Sequence, residues 1–132
     1  MNIDMIRDMQ DLYRKYGFFE EEFDLKKLVF RMELLQEEFE ETTQAVIDRN
    51  AEEIVDGLID LIVIAIGTLE LAGVSTGKAW NEVMRANFDK KRGIKKGRES
   101  SGGFDVIKPE GWKGPNHEFN HGCLDEVLGT NK

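Results

Sequence analysis

Five acidic residues carry the chemistry most legible in this chain: Glu38 and Glu41 stand three apart, Glu53 and Asp56 repeat that spacing, and Asp60 follows. On a helix, residues three or four apart share a face, with Cβ atoms only about 5–6 Å from one another. Leu34, Glu38, Glu41 and Ala45 form one such row, so two glutamates sit between apolar neighbours. Like charges that close repel, and partial burial sharpens the repulsion. A bound cation relieves it. Glu53, Asp56 and Asp60 form the matching face on the following helix, and Asp60 falls inside the apolar run LIDLIVIAIG. An unpaired carboxylate there costs on the order of several kcal/mol. Carboxylate oxygens with no Cys or His nearby make a hard-cation site, for Mg²⁺ or Mn²⁺. Taken singly, each acid reads as well as a solvated helix face, and Asp60 as one half of an ion pair with a neighbouring Lys or Arg. Taken as two facing pairs beside apolar seams, Glu38, Glu41, Glu53, Asp56 and Asp60 are the expected metal ligands.

Helices must position those acids. Ile3, Ile6, Met9, Leu12, Tyr13 and Tyr16 recur at helical spacing and stop at Gly17, predicting a first helix over residues 3–16. Asp24 is the expected N-cap of a second helix reaching about Asp48. Its seam of Leu28, Met32, Leu35, Phe39, Thr42 and Val46 alternates spacings of four and three, which wants a partner helix. Asp48-Arg49-Asn50 breaks the chain briefly, and a third helix runs to about Leu71 with Gly73 as its stop. That helix is apolar on nearly every side, as surrounded helices are. The simplest surroundings in so small a chain include another subunit. A fourth helix is predicted from Thr76 to about Lys91. Beyond Gly93 the glycines and both prolines gather, predicting loop with a short hairpin near residues 104–108. The expected organisation is a helical domain over 1–92 and an irregular extension over 93–132.

The charge distribution limits the partners. Residues 1–89 carry 9 Lys/Arg against 20 Asp/Glu, whereas residues 90–132 carry 9 against 6. An acidic body is a poor binder of nucleic-acid backbone, which needs clustered cations. The apolar stretch over 54–74 is interrupted by Asp56, Asp60 and Glu70, which argues against a membrane span. The single cysteine, Cys123, excludes an intrachain disulfide and suits a reducing compartment. The N-terminal MNIDMIRDMQ is charged where a signal peptide needs an apolar run. A cytoplasmic location is therefore expected.

Glu38-x-x-Glu41 and Glu53-x-x-Asp56, followed by Gly57-Leu58-Ile59-Asp60, resemble the signature of the all-α nucleoside triphosphate pyrophosphohydrolases. This is the superfamily of MazG, the dimeric dUTPases and phosphoribosyl-ATP pyrophosphohydrolase. Val83-Met84-Arg85-Ala86-Asn87-Phe88-Asp89-Lys90 is similar to the family's fourth-helix motif, and Val106–Trp112 to its end. Two positions depart from the pattern: Ala86 stands where relatives often have Ser, and Phe88 where they often have Met. The resemblance implies a four-helix MazG-like bundle assembled as a homodimer or homotetramer. It also implies a reaction, hydrolysis of a nucleoside triphosphate to a monophosphate and pyrophosphate, by water attack at the α-phosphorus. In that reading the five acids hold Mg²⁺ (or Mn²⁺), with Asp60 able to orient the water. Asn87 and Lys90 bind phosphate, with Arg85 and Lys91 beside them.

Lys90, Lys91, Arg92, Lys95, Lys96 and Arg98 place 6 cations in 9 positions. They read as a clamp over a triphosphate or as a solvated helix end that complements the helix dipole. His117, His121 and Cys123 have a loosely zinc-like spacing, but a structural zinc wants four ligands. Trp80 at helical spacing is expected in the core, and Trp112 is an aromatic candidate for stacking. Gln10 and Tyr13 are the expected base contacts. Likeness to short phage-type members inclines the substrate to a purine deoxynucleotide such as dGTP. Two rivals stand beside it: phosphoribosyl-ATP pyrophosphohydrolase activity, and a non-enzymatic helical interaction module with a nucleic-acid-binding tail.

Overall fold

The computed structural model describes residues 2–130. Met1, Asn131 and Lys132, at the ends of the two expected segments, lie outside them. The fold is all-α. Helix α1 covers Met5–Tyr16, α2 Leu25–Ile47, α3 Ala51–Leu71, α4 Thr76–Phe88 and α5 Leu124–Leu128. Each of the first three begins on a side chain that satisfies an otherwise unbonded amide. The Asp4 carboxylate accepts from the Arg7 N–H, Asp24 from Lys27, and the Asn50 side chain from Glu53. The first helix starts later than its apolar period suggests, because Asp4 is its cap and leaves Ile3 outside. Gly17 ends α1 at φ 73° and Gly73 follows α3 at φ 76°, a left-handed conformation that costs glycine little. Helix α4 stops at Phe88, short of the expected Lys91. There the backbone leaves for a strand: β1 (Lys91–Arg92) pairs antiparallel with β2 (Val106–Ile107).

The chain forms two compact units, and their boundary is not at residue 92. The first comprises residues up to Thr76 together with those from His121 on; the second is Gly77–Asn120. In the first unit α1 and α2 both pack on α3. Gly67 makes one of these contacts possible, since a Cβ there would run into the Tyr13 ring and hydroxyl. Arg31 of α2 is buried at 7% exposure. Its guanidinium donates to the Tyr13 hydroxyl (2.6 Å), the Thr68 hydroxyl (3.0 Å) and the Ile64 carbonyl (3.1 Å). One side chain thus ties the first three helices together. Arg31→Met is expected to destabilise by about 2–4 kcal/mol, because each hydrogen bond to a charged group contributes roughly 1.5–3 kcal/mol and burial leaves the acceptors unpaired. Urea unfolding of the two proteins measures it.

Helix α2 is rotated relative to the expected seam. Arg31, Thr42 and Ala45 are its buried residues, whereas Met32, Phe39 and Val46 point outward. The reason lies on α3, where Gly57 admits a close neighbour and so selects the row of α2 that carries Thr42. Met32 and Phe39, with Leu25, Leu61 and Leu128, line an open groove of about 700 Å³. Val55, Leu58, Ile59 and Ile62 of α3 are also exposed. The end of the chain returns to this unit: the Cys123 N–H donates to the Ala72 carbonyl at 2.7 Å. Gly122 permits the approach, since a Cβ there would meet that same carbonyl. No helix among the described residues is long and apolar enough to cross a membrane.

In the second unit the segment after the hairpin is tied to α4. Arg85 donates to Glu82 (2.9 Å) and to the Gly114 carbonyl (2.9 Å), and lies 3.6 Å from Asp89. Glu82 in turn accepts from the Asn116 N–H at 3.0 Å. Trp80 is 61% exposed rather than part of a core. The Arg85 side chain and then the Asn116 amide hold the Glu82 carboxyl below the ordinary glutamate range. A carboxylate depressed on folding contributes stability above its unfolded pKa and loses it as pH falls through the folded one. The Asn116 amide shift is therefore expected to titrate below the ordinary carboxylate range in an NMR series. In Glu82→Gln that titration should vanish.

Candidate active site

The acids of α2 meet those of α3 because of what happens at the α2–α3 turn and just beyond it. Arg49 adopts φ 57°, and Asn50 then caps α3, so the two helices run back along each other. Gly57 is buried opposite Thr42. A Cβ at Gly57 would overlap the Thr42 hydroxyl, so the helices are closest here. The Thr42 hydroxyl donates to the Glu38 carbonyl at 2.7 Å, which absorbs its polarity within its own helix. Glu38 sits one turn before Thr42, and Asp56 and Asp60 flank Gly57. The close approach therefore puts carboxylates of two helices side by side.

Glu38 and Asp60 are both half-buried. The Glu38 carboxyl is pushed above its ordinary range, first by burial and then by the charge of Asp60, with Glu41 and Asp56 adding to it. Among the described residues Asp60 takes part in no ion pair with a Lys or Arg. Glu41 and Asp56 are exposed at the edge of this group. Glu53 stands in the first turn of α3, exposed, one turn before Asp56.

Among the described residues, no set of three or more His, Cys, Asp or Glu side chains is closed into a metal-holding arrangement. That observation and the mutual influence around Glu38 are compatible. Carboxylates with no counter-charge turn away from one another, and exposed ones on a helix have the rotamer freedom to do it. The donor set suits a hard cation: all oxygens, two helices, and repulsion that a divalent ion would cancel.

The expected phosphate-binding residues belong to the second unit. Arg85 is engaged by Glu82, Asp89 and the Gly114 carbonyl, so its guanidinium is a strut between helix and tail. Asn87 is exposed near the end of α4. Lys90 is half-buried, with its Nζ 5.2 Å from the centre of the Trp112 ring, and Lys91 is exposed in β1. The two expected base contacts are spent internally. Tyr13 is 4% exposed with its hydroxyl accepting from Arg31, and the Gln10 amide donates to Glu70 at 2.7 Å.

Sequence reasoning passed over the role of Arg31, and named Gly57 and Thr42 without the contact between them. Gly57 had a signal, a glycine inside a helical pattern, where Ala would be about 1 kcal/mol better. Arg31 had none, since an arginine at a helical position reads as surface.

A family model described as phosphoribosyl-ATP pyrophosphohydrolase matches residues 7–87. The match spans all five acids, Gly57 and Asn87, and ends before Lys90. No curated protein matches the chain.

Proposed function

The chain belongs to the phosphoribosyl-ATP pyrophosphohydrolase family, and from that premise we propose that this hydrolase of phosphoric anhydride bonds cleaves nucleoside triphosphates between the α- and β-phosphates. The observation that carries the reading is the close approach of α2 and α3 at Thr42 and Gly57, with Glu38 one turn from Thr42, Asp56 and Asp60 beside Gly57, and the Glu38 carboxyl raised by burial and by the neighbouring acids. Glu38, Glu41, Asp56 and Asp60, with Glu53 from the preceding turn, would supply the oxygens for Mg²⁺ or Mn²⁺. Such an ion supplies neutralisation of phosphate charge and a lowered pKa for water. Asp60, half-buried beside Glu38, would orient the attacking water. Pyrophosphate is the leaving group, and catalysis of this kind is mostly positioning and electrostatics.

Asn87, Lys90 and Lys91 are assigned to the phosphates on their motif. Arg85 is assigned there only through the order it imposes on α4. The base contacts first expected of Gln10 and Tyr13 do not enter this reading, because both side chains are committed within the helical core. A purine deoxynucleotide such as dGTP remains the favoured substrate on likeness to short phage-type members. The matched family model favours phosphoribosyl-ATP as the second reading. The exposed apolar faces of α2 and α3 support a homodimer or homotetramer, which sedimentation of the intact protein would reveal. Its one cysteine and its nucleotide chemistry suit the cytoplasm.

Pyrophosphate release from eight ribo- and deoxyribonucleoside triphosphates, and from phosphoribosyl-ATP, tests the proposal in Mg²⁺ or Mn²⁺. Release from one or a few triphosphates, lost in Glu53→Gln, supports it. Release from phosphoribosyl-ATP alone selects the second reading. No release from any leaves the acids as structure and favours an interaction module.

A further inference from the structure

The hairpin of the second unit places two lysines where like charges should not be. Lys91 pairs with Ile107 and Arg92 with Val106 in antiparallel register. Extended by one step, that register sets Lys90 opposite Lys108. Like charges directly opposite each other across strands are destabilising. The chain nevertheless holds both over one ring, with the Lys90 Nζ 5.2 Å and the Lys108 Nζ 4.9 Å from the centre of Trp112.

That ring is built into place. Pro109-Glu110-Gly111-Trp112 closes a turn in which the Trp112 N–H donates to the Pro109 carbonyl at 3.0 Å. Gly111 takes φ 77°, as the third position of a type II turn requires. The Trp112 indole N–H then donates to the Ala86 carbonyl at 2.7 Å, which fixes the ring against α4. Three arginines of the same unit are in internal use. Arg85 pairs with Glu82, Arg98 pairs with Asp105 at 2.8 Å, and Arg92 donates to the Gly103 carbonyl at 2.9 Å. Lys90 and Lys108 take part in no ion pair among the described residues.

We propose that Lys108 is a phosphate-binding residue that acts with Lys90 as a two-lysine clamp for the oxygens of an oligophosphate, with Trp112 as its floor. The inference rests on the reading of the protein as a triphosphate hydrolase and extends it to a residue beyond the matched motif. The chemistry is specific in kind. The ring quadrupole attracts each ammonium and so lets both stand at one place. It does not neutralise them, and a multiply charged anion does. Ammonium groups bind phosphate oxygens as adaptable point charges. A lone carboxylate carries too little charge for two lysines, and a pair of cations is too short a track for a nucleic-acid backbone.

Trp112 also reports on the site. Trp80 is exposed, so Trp80→Phe leaves Trp112 as the sole fluorescent indole in the full chain. Inorganic tripolyphosphate, titrated into that protein at low salt without divalent metal, is expected to change Trp112 emission saturably. Added Lys108→Ala should weaken binding about tenfold, the loss of roughly one charge-assisted hydrogen bond. Lys108→Arg should retain most of the affinity, which a merely structural role for the lysine stem would not require. In turnover, Lys108→Ala should raise KM more than it lowers kcat. The clamp is overturned if the parent does not bind tripolyphosphate, or if Lys108→Ala binds it within twofold of the parent. Lysine-dependent binding by a protein that hydrolyses no nucleotide would keep the clamp and sink the proposed activity. Hydrolysis with a Lys108→Ala protein unchanged in binding and KM would sink the clamp alone.

Discussion

Glu38→Gln is expected to make the metal-free protein more stable and nearly inactive. Outer partners of metal ligands typically contribute about 10–100-fold to activity, so the loss of a ligand should cut pyrophosphate release by at least about 100-fold. The stability change has the opposite sign for a reason visible in the site. Burial and the charges of Asp60, Glu41 and Asp56 push the Glu38 carboxyl above its ordinary range. A carboxyl raised on folding contributes stability at low pH and loses it as pH rises through the raised value. At neutral pH the ionised Glu38 therefore works against the fold, and a glutamine, which donates an amide hydrogen to Asp60, does not. In melts with a chelator the variant should unfold at a higher temperature than the wild type. Adding Mn²⁺ should raise the wild type and leave the variant nearly unmoved, since only a ligand bound to the folded state stabilises it. A variant that keeps its activity, or still gains stability from the ion, would remove Glu38 from the site.

Gly57→Ala tests the approach of the two helices that makes the site. Its new methyl would collide with the Thr42 hydroxyl and crowd the rest of that side chain. Overpacking of this kind typically costs about 1–3 kcal/mol, against a gain of about 1 kcal/mol in helix propensity. A net loss of stability is expected in urea. Because Glu38 lies one turn from Thr42 and Asp56 and Asp60 flank Gly57, separating the helices also spreads the carboxylates. Activity should fall further than stability alone accounts for at temperatures where the variant is folded. Thr42→Ala in the same chain should restore part of both, a coupling that distant sites do not show. Additive effects of the two substitutions would mean that the contact does not set the spacing.

The two variants probe one design from opposite sides. Glycine and threonine bring the helices near enough for the acids of both to raise the Glu38 carboxyl. The acids then oppose that approach until an opposite charge offsets them. Marginal stability at a functional site is a familiar consequence of such placement. The exposed apolar row of α2, with Met32, Phe39 and Val46, is the other cost of the arrangement. Gly57 of α3 selects the row of Thr42 for the interior and leaves the larger side chains facing out.

Local features of this protein were decided by the sequence alone. Asp4, Asp24 and Asn50 cap helices, and Gly17 and Gly73 follow them, because each effect reaches only a few residues along the chain. Spacing of three and four likewise placed Glu38 with Glu41 and Asp56 with Asp60, and the motif pointed to the family that the matched model shows. What tertiary structure decided is everything that depends on which faces meet. Rotation of α2 follows from Gly57, a residue on another helix. It buried Arg31, turned Met32 outward, and put Glu38 under the charge of Asp60. In the second unit a type II turn brings Trp112 back to α4, and hairpin register brings Lys108 opposite Lys90. Arg85 reads in sequence like its basic neighbours, yet it became a strut because Gly114 and Glu82 were there to accept from it. A helical period records which residues share a side. The partner of that side is set by close packing between segments far apart in the chain, where one missing Cβ outweighs several apolar side chains.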